Sequence, residues 1–133
     1  MLDTGIYQRI LQLDLSRIIT RSPERLVNEG AFAEVYAGSE LISGMPNHIR
    51  PELFYWHREA PASNAEIDYL FSHRGQVVPI EVKSGTRGSM KSMHMFLMKR
   101  PELRGTRLSH ENFGSIGLID IVPLYAACWL PTM

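Results

Sequence analysis

The stretch Glu66-Ile67-Asp68-Tyr69-Leu70-Phe71-Ser72-His73-Arg74-Gly75-Gln76-Val77-Val78-Pro79-Ile80-Glu81-Val82-Lys83 decides how this chain is read. Two extended runs, Glu66 to Ser72 and Gln76 to Lys83, flank Arg74-Gly75, where glycine takes the positive φ that a tight hairpin turn needs. With that turn, facing residues have numbers that sum to 149, so Asp68 is expected opposite Glu81 and Glu66 opposite Lys83, all four on one face. The other face then carries Ile67, Tyr69 and Phe71 against Val82, Ile80 and Val78, an unbroken apolar surface suited to packing on a core.

Directly opposed residues of an antiparallel pair have β-carbons roughly 4.5–5.5 Å apart, so two carboxylates placed there repel each other. A hard divalent cation, Mg²⁺ or Mn²⁺, relieves the repulsion through carboxylate oxygens and keeps waters, one of which can attack a phosphate. Asp68 and Glu81 are therefore the candidate metal ligands, with the Val82 carbonyl as a further donor. Lys83, two residues beyond Glu81, is placed to orient the attacking water or to stabilise charge building on a phosphoryl oxygen. A fourth candidate is Glu34, which falls with Ala37, Gly38 and Leu41 on one helical stripe whose small residues allow close packing on a sheet. The same spacing equally describes a charged face turned to water, with Glu66 and Lys83 as an ordinary cross-strand ion pair, and on spacing alone that plainer reading leads.

Working outward, Ile6, Ile10, Leu11, Leu13 and Leu15, with Ile18 and Ile19 beyond, suggest a short amphipathic helix and then a link through Arg21-Ser22-Pro23. The main helix is expected from Ala31 to about Ser43, a proline-free run between Gly30 and Gly44. Leu53 to Trp56 reads as a short strand and Pro61 to Asn64 as a loop. After the hairpin, Ser89 is expected to cap a helix running to about Lys99, with Met90, Met93 and Leu97 on one face and Pro101 ending it. Thr106 to Ser109 and Ile116 to Val122 read as strands, and Leu124 to Leu130 as a closing helix or strand. The whole describes one α/β domain over residues 1–133, with a helical lead-in over 1–28 and a core over 29–133.

Composition agrees with a folded chain, at 44% apolar and 21% charged residues. Basic and acidic residues number 14 each, so no net field steers the chain to nucleic acid or anionic lipid and such binding must come from a local patch. Cys128 is the sole cysteine, which excludes a disulfide framework and fits a reducing cytoplasm. No apolar run approaches a membrane span, and Met1-Leu2-Asp3-Thr4-Gly5 has neither a basic stretch nor an apolar core of signal-peptide length, so neither export nor membrane insertion is expected.

Other signals carry less. Gly85 to Ser92 follows a strand and opens a helix as a phosphate-binding loop does, but Met90 stands where the second glycine is needed, so no nucleotide is expected. Met90, Met93, Met95 and Met98 read as adaptable core filler rather than a soft-metal site. The five histidines lack zinc-ligand spacing, and of them only His57 falls near the candidate residues. Arg87, Lys91, Lys99 and Arg100 suit a phosphate backbone and a solvated helix face equally well.

Asp68 followed by Glu81-Val82-Lys83 resembles the Asp…Glu-x-Lys signature of restriction-endonuclease-like nucleases. A more specific ordered set comprises Asp3-Thr4-Gly5, Gly30-Ala31-Phe32-Ala33-Glu34, Tyr55-Trp56, Asn64 to Asp68, Pro79 to Gly85 and Pro123-Leu124-Tyr125. This set, spanning nearly the whole chain, resembles the C-terminal domain of a large family of prokaryotic AAA-type ATPases. The resemblance implies a restriction-endonuclease-like (PD-(D/E)XK) core, a mixed central sheet flanked by helices, with Glu34 on its first helix and Asp68, Glu81 and Lys83 on its central hairpin. It also implies an ATPase domain preceding Asp3-Thr4-Gly5, so the chain is expected to be a fragment, a truncated product or a stand-alone remnant. The expected function is a metal-dependent nuclease or phosphodiesterase; the alternative is a catalytically silent module that binds DNA or a protein and regulates an ATPase. Expected partners are a nucleic acid, DNA ahead of RNA, and an ATPase domain or other protein; no membrane partner is expected.

Overall fold

The computed structural model describes residues 3–10, 29–59, 64–85 and 88–133. Helix α1 spans Thr4–Ile10, and the Asp3 carboxylate accepts the backbone N–H groups of Gly5 and Ile6, which gives this helix its start. The continuation of the expected N-terminal helix, the Arg21–Pro23 link, the Pro61–Ser63 loop and Arg87 lie outside the described residues.

The main helix, α2, spans Glu29–Gly44. It leads to β1 (Phe54–Arg58), then the hairpin β2 (Ala65–His73) and β3 (Gln76–Val82). Helix α3 (Lys91–Met98) precedes β4 (Gly105–Ser109), and β5 (Gly114–Ile116) and β6 (Ile119–Pro123) follow, with a closing 3₁₀ helix over Leu124–Trp129. The strands form one six-stranded mixed sheet in the order β1-β2-β3-β4-β6-β5, with β3, β4 and β6 mutually parallel and the remaining pairs antiparallel.

Two apolar layers sandwich the sheet. On one side Ala33, Ala37 and Leu41 of α2 and Ala126 and Ala127 of the 3₁₀ helix meet Phe71, Ile80, Val82, Leu108 and Val122. The small residues of the α2 stripe bring its backbone close enough for the Tyr69 hydroxyl to donate to the Glu34 carbonyl at 2.9 Å. On the other side Met93, Phe96 and Leu97 of α3 pack on Ile67, Leu103 and Ile119, with Trp56 edge-on to Phe96 at 5.3 Å between ring centroids. Each fully buried side chain of this size contributes on the order of 1.5–3 kcal/mol. Of the methionines expected as core filler, Met93 is fully buried and Met90 packs at the edge of this layer, but Met98 is 82% exposed, because it lies on the face of α3 turned away from the sheet.

The turn has the conformation its sequence demands, with φ of 50° at Arg74 and 78° at Gly75. The register follows: His73↔Gln76, Ser72↔Val77, Phe71↔Val78, Leu70↔Pro79 and Tyr69↔Ile80 all sum to 149. Three expectations are corrected. Ile116 to Val122 is not one strand but the hairpin β5–β6, because Gly117, at φ 60°, turns the chain there. Ser89 does not cap α3; Met90 precedes its first residue and makes no side-chain cap, while the Ser89 hydroxyl accepts the Lys91 N–H at 3.3 Å. The apolar face of β2 is broken, since Phe54 pairs with Leu70 but Trp56 pairs with Ile67, so β2 carries one extra residue at Asp68-Tyr69. That bulge turns Ile67 into the α3 layer with Leu70, whereas Tyr69 and Phe71 face α2.

Candidate functional site

The bulge positions the first candidate side chain. The paired ladder between β2 and β3 ends at Tyr69↔Ile80, and one step further the Asp68 carboxylate accepts the Val82 N–H at 2.7 Å. A side chain here does what a backbone carbonyl does elsewhere in the ladder, so the hairpin opens at Asp68 while β3 continues to pair with β4, Lys83 donating its N–H to the Leu108 carbonyl. The opening lies at the carboxyl ends of the parallel strands β3 and β4, where open α/β sheets commonly take ligands.

Burial outweighs every other influence on Asp68 and raises its carboxyl above the ordinary range; Glu81 and Glu66 push the same way, against the Val82 bond and Lys83. Glu34, carried over the opening by α2, is raised too, first by burial, then by the charges of Asp68 and Glu66, with Lys83 opposing. Tyr69, between them, has its phenol pushed up to about 12 by burial and by the neighbouring Glu34 and Asp68 charges.

The expected single face of four charges is corrected by the bulge. Alternation puts Glu66 on the α2 side and Glu81 on the α3 side, with Asp68 at the gap between the strands. The Lys83 ammonium accordingly does not pair with Glu66; it lies 2.7 Å from the Glu81 carboxylate. Glu81 itself is only 4% exposed, and its second oxygen, Oε2, is buried with no hydrogen-bond partner. A buried carboxylate oxygen left in this way is costly unless something further binds it.

Compared with known protein families, residues 29–125 match the domain of unknown function DUF4143. The chain belongs to the DUF4143 family. Comparison with curated proteins and with solved structures gave no match. The DUF4143 span contains every residue of the cluster, from Glu34 on α2 to Lys83 after β3.

Sequence reasoning about this DUF4143 domain missed Arg107. It stands on β4 directly beside Glu81 in the parallel register, is 7% exposed, and pairs with Glu111 at 3.1 Å. No signal in the sequence announced it, because Gly105-Thr106-Arg107-Leu108-Ser109 does not by itself show that the strand is buried along its whole length. His57 on β1 pairs in register with Glu66 on β2, and its ring lies 3.9 Å from the Glu59 carboxylate. Of the basic flank, Lys91 and Lys99 are exposed, while Arg100 lies over the Phe96 ring at 4.2 Å.

The DUF4143 carboxylates have the hard-oxygen chemistry of a Mg²⁺ site, and the buried Glu81 Oε2 is an acceptor of that kind. Among the described residues no three His, Cys, Asp or Glu side chains form a group that could hold a metal ion, so Glu34, Asp68 and Glu81 do not make a ready cage. No helix among the described residues is long and apolar enough to cross a membrane.

Proposed function

We propose that this domain is a metal-dependent nuclease or phosphodiesterase of restriction-endonuclease-like fold, acting on nucleic acid, DNA ahead of RNA. The observation that carries the reading is the buried, unpartnered Oε2 of Glu81 at the mouth of a hairpin held open by Asp68. Asp68 and Glu81 would hold Mg²⁺ or Mn²⁺, with Glu34 supporting them and the Val82 carbonyl as a further donor. The cation would supply an activated water and neutralise phosphate charge. Lys83, held against Glu81, brings a proton donor and a positive charge to the same mouth. The raised carboxyls of Asp68 and Glu34 provide groups able to exchange a proton nearer neutrality than ordinary carboxylates do.

The resemblance in the ordered motifs from Asp3-Thr4-Gly5 to Pro123-Leu124-Tyr125 supports the further proposal that such a domain works beside an AAA-type ATPase domain. A second reading has its own support: because Lys83 already pairs with Glu81 at 2.7 Å, the charges are partly neutralised from within, as suits a silent module that binds DNA or a protein.

Calorimetry with Mg²⁺ and Mn²⁺ on the purified chain and on Asp68→Ala and Glu81→Ala, followed by incubation with labelled DNA and RNA, separates the two. The nuclease reading expects binding that both substitutions abolish and cleavage that also needs Lys83. Absence of binding by the parent chain would remove it and leave the binding module.

A further inference from the structure

The strands β3 and β4 run parallel and leave the sheet side by side, and the two exits carry the polar side chains of this region. From β3 come Glu81 and Lys83; from β4 come Arg107, Ser109 and Glu111. The Arg107 guanidinium Nη2 lies 3.1 Å from the Glu111 carboxylate and makes a longer contact, 3.5 Å, to the Gly85 carbonyl two residues beyond Lys83. Glu111 is itself fixed, because the Ser109 hydroxyl donates to its carboxylate at 3.1 Å and accepts its backbone N–H at 3.2 Å. Ser109 is completely buried, so this chain of contacts is anchored in the sheet.

We infer that Arg107 is a positioning residue: by bridging Glu111 and the Gly85 carbonyl it ties the exit of β3 to that of β4 and thereby holds Lys83 against Glu81. Both contacts come from Nη2, one arm of a rigid planar guanidinium whose donor directions are fixed, a geometry that the flexible lysine side chain does not hold in place. The clamp also places a buried cation next to Glu81 in register, which offsets part of the cost of burying that carboxylate. Its consequence for cation affinity rests on the metal-site reading given above; the clamp on Lys83 does not.

The test follows the Lys83 ammonium by nitrogen-detected NMR of lysine side chains. An ammonium held 2.7 Å from a buried carboxylate exchanges its protons slowly, and the signal is assigned by its loss in Glu81→Gln. In Arg107→Lys and in Glu111→Gln the Lys83 protons are expected to exchange about tenfold faster or more, with both variants still melting cooperatively, and Mg²⁺ affinity is expected to fall roughly 10–100-fold, as when the groups orienting metal ligands are removed. Glu111 is partly exposed and is the milder position, so Glu111→Gln decides the matter where Arg107→Lys does not fold. An unchanged Lys83 signal in a folded Glu111→Gln variant overturns the inference, as does unfolding of both variants, which would assign the cluster to stability alone. A parent chain that binds no Mg²⁺ removes the metal reading, while the Lys83 signal still decides the clamp.

Discussion

The carboxylate of Asp68 takes the backbone N–H of Val82 at 2.7 Å, replacing a rung of the hairpin ladder with a side chain. Two properties of the site follow from this bond. It ends the backbone ladder where the charges gather, and it keeps Asp68 partly buried, with burial the largest cause of the rise in its carboxyl.

That rise makes stability depend on pH in a defined direction. Asp68 and Glu34 bind protons more tightly folded than unfolded, so their contribution is fully present at and below the ordinary carboxylate range and is lost as pH climbs through their raised values. Asp68→Asn keeps an oxygen for the Val82 N–H and removes the charge. It is expected to be more stable than the parent at neutral pH, on the order of 1 kcal/mol, and to show a flatter pH profile; denaturant melts from pH 4 to 8 check both.

Divalent cation is expected to act on the same balance. If Asp68 and Glu81 hold Mg²⁺, thermal melts at neutral pH shift upward with added MgCl₂, by about 2.7 kcal/mol when the ion stands at a hundred times its Kd, and EDTA reverses the shift. Glu81→Gln should abolish the response; a parent melt indifferent to Mg²⁺ and Mn²⁺ argues for the silent module.

Tyr69 offers a spectroscopic handle. Its hydroxyl donates to the Glu34 carbonyl at 2.9 Å and ionises only at about 12, so a phenol titrating in that range in ultraviolet absorbance should vanish in Tyr69→Phe. Loss of the hydrogen bond is expected to cost about 1 kcal/mol. Because the folded value lies above the unfolded one, the fold loses stability as pH rises from about 10 towards that ionisation.

Two glycines of α2 should respond oppositely to alanine. A β-carbon at Gly44 would stand 1.8 Å from the Cys128 carbonyl oxygen, where the helix end meets the 3₁₀ helix, so Gly44→Ala is expected to cost about 1–3 kcal/mol or more. At Gly30 nothing lies within 4 Å, and Gly30→Ala should be neutral or stabilising by up to about 1 kcal/mol. Chemical denaturation of the pair measures the contrast.

The hairpin was legible because its turn chemistry and its numbering are local: Arg74-Gly75 sets the register, and all five observed pairs obey it. The α2 stripe was legible for the same reason, its period being written in Glu34, Ala37, Gly38 and Leu41. What failed depends on partners distant in sequence. Ile67, Tyr69 and Phe71 alternate without a break, and only pairing with β1 reveals the extra residue at Asp68-Tyr69 that sends Ile67 to the opposite layer. Arg107 gains meaning only once β4 lies beside β3, which no spacing within either strand announces. Gly117 was passed over because Ile116 to Val122 is apolar enough to read as continuous, although a positive-φ glycine breaks it.

The order β4-β6-β5 bears on synthesis of the chain. Strand β6 fills the slot between two strands that precede it in sequence, so until residues 119–123 have left the ribosome β4 keeps an open flank, although all five of its residues are buried in the finished sheet. A nascent chain halted before that point would expose a sticky edge, and chaperone demand should be concentrated in the interval before the final strand is released.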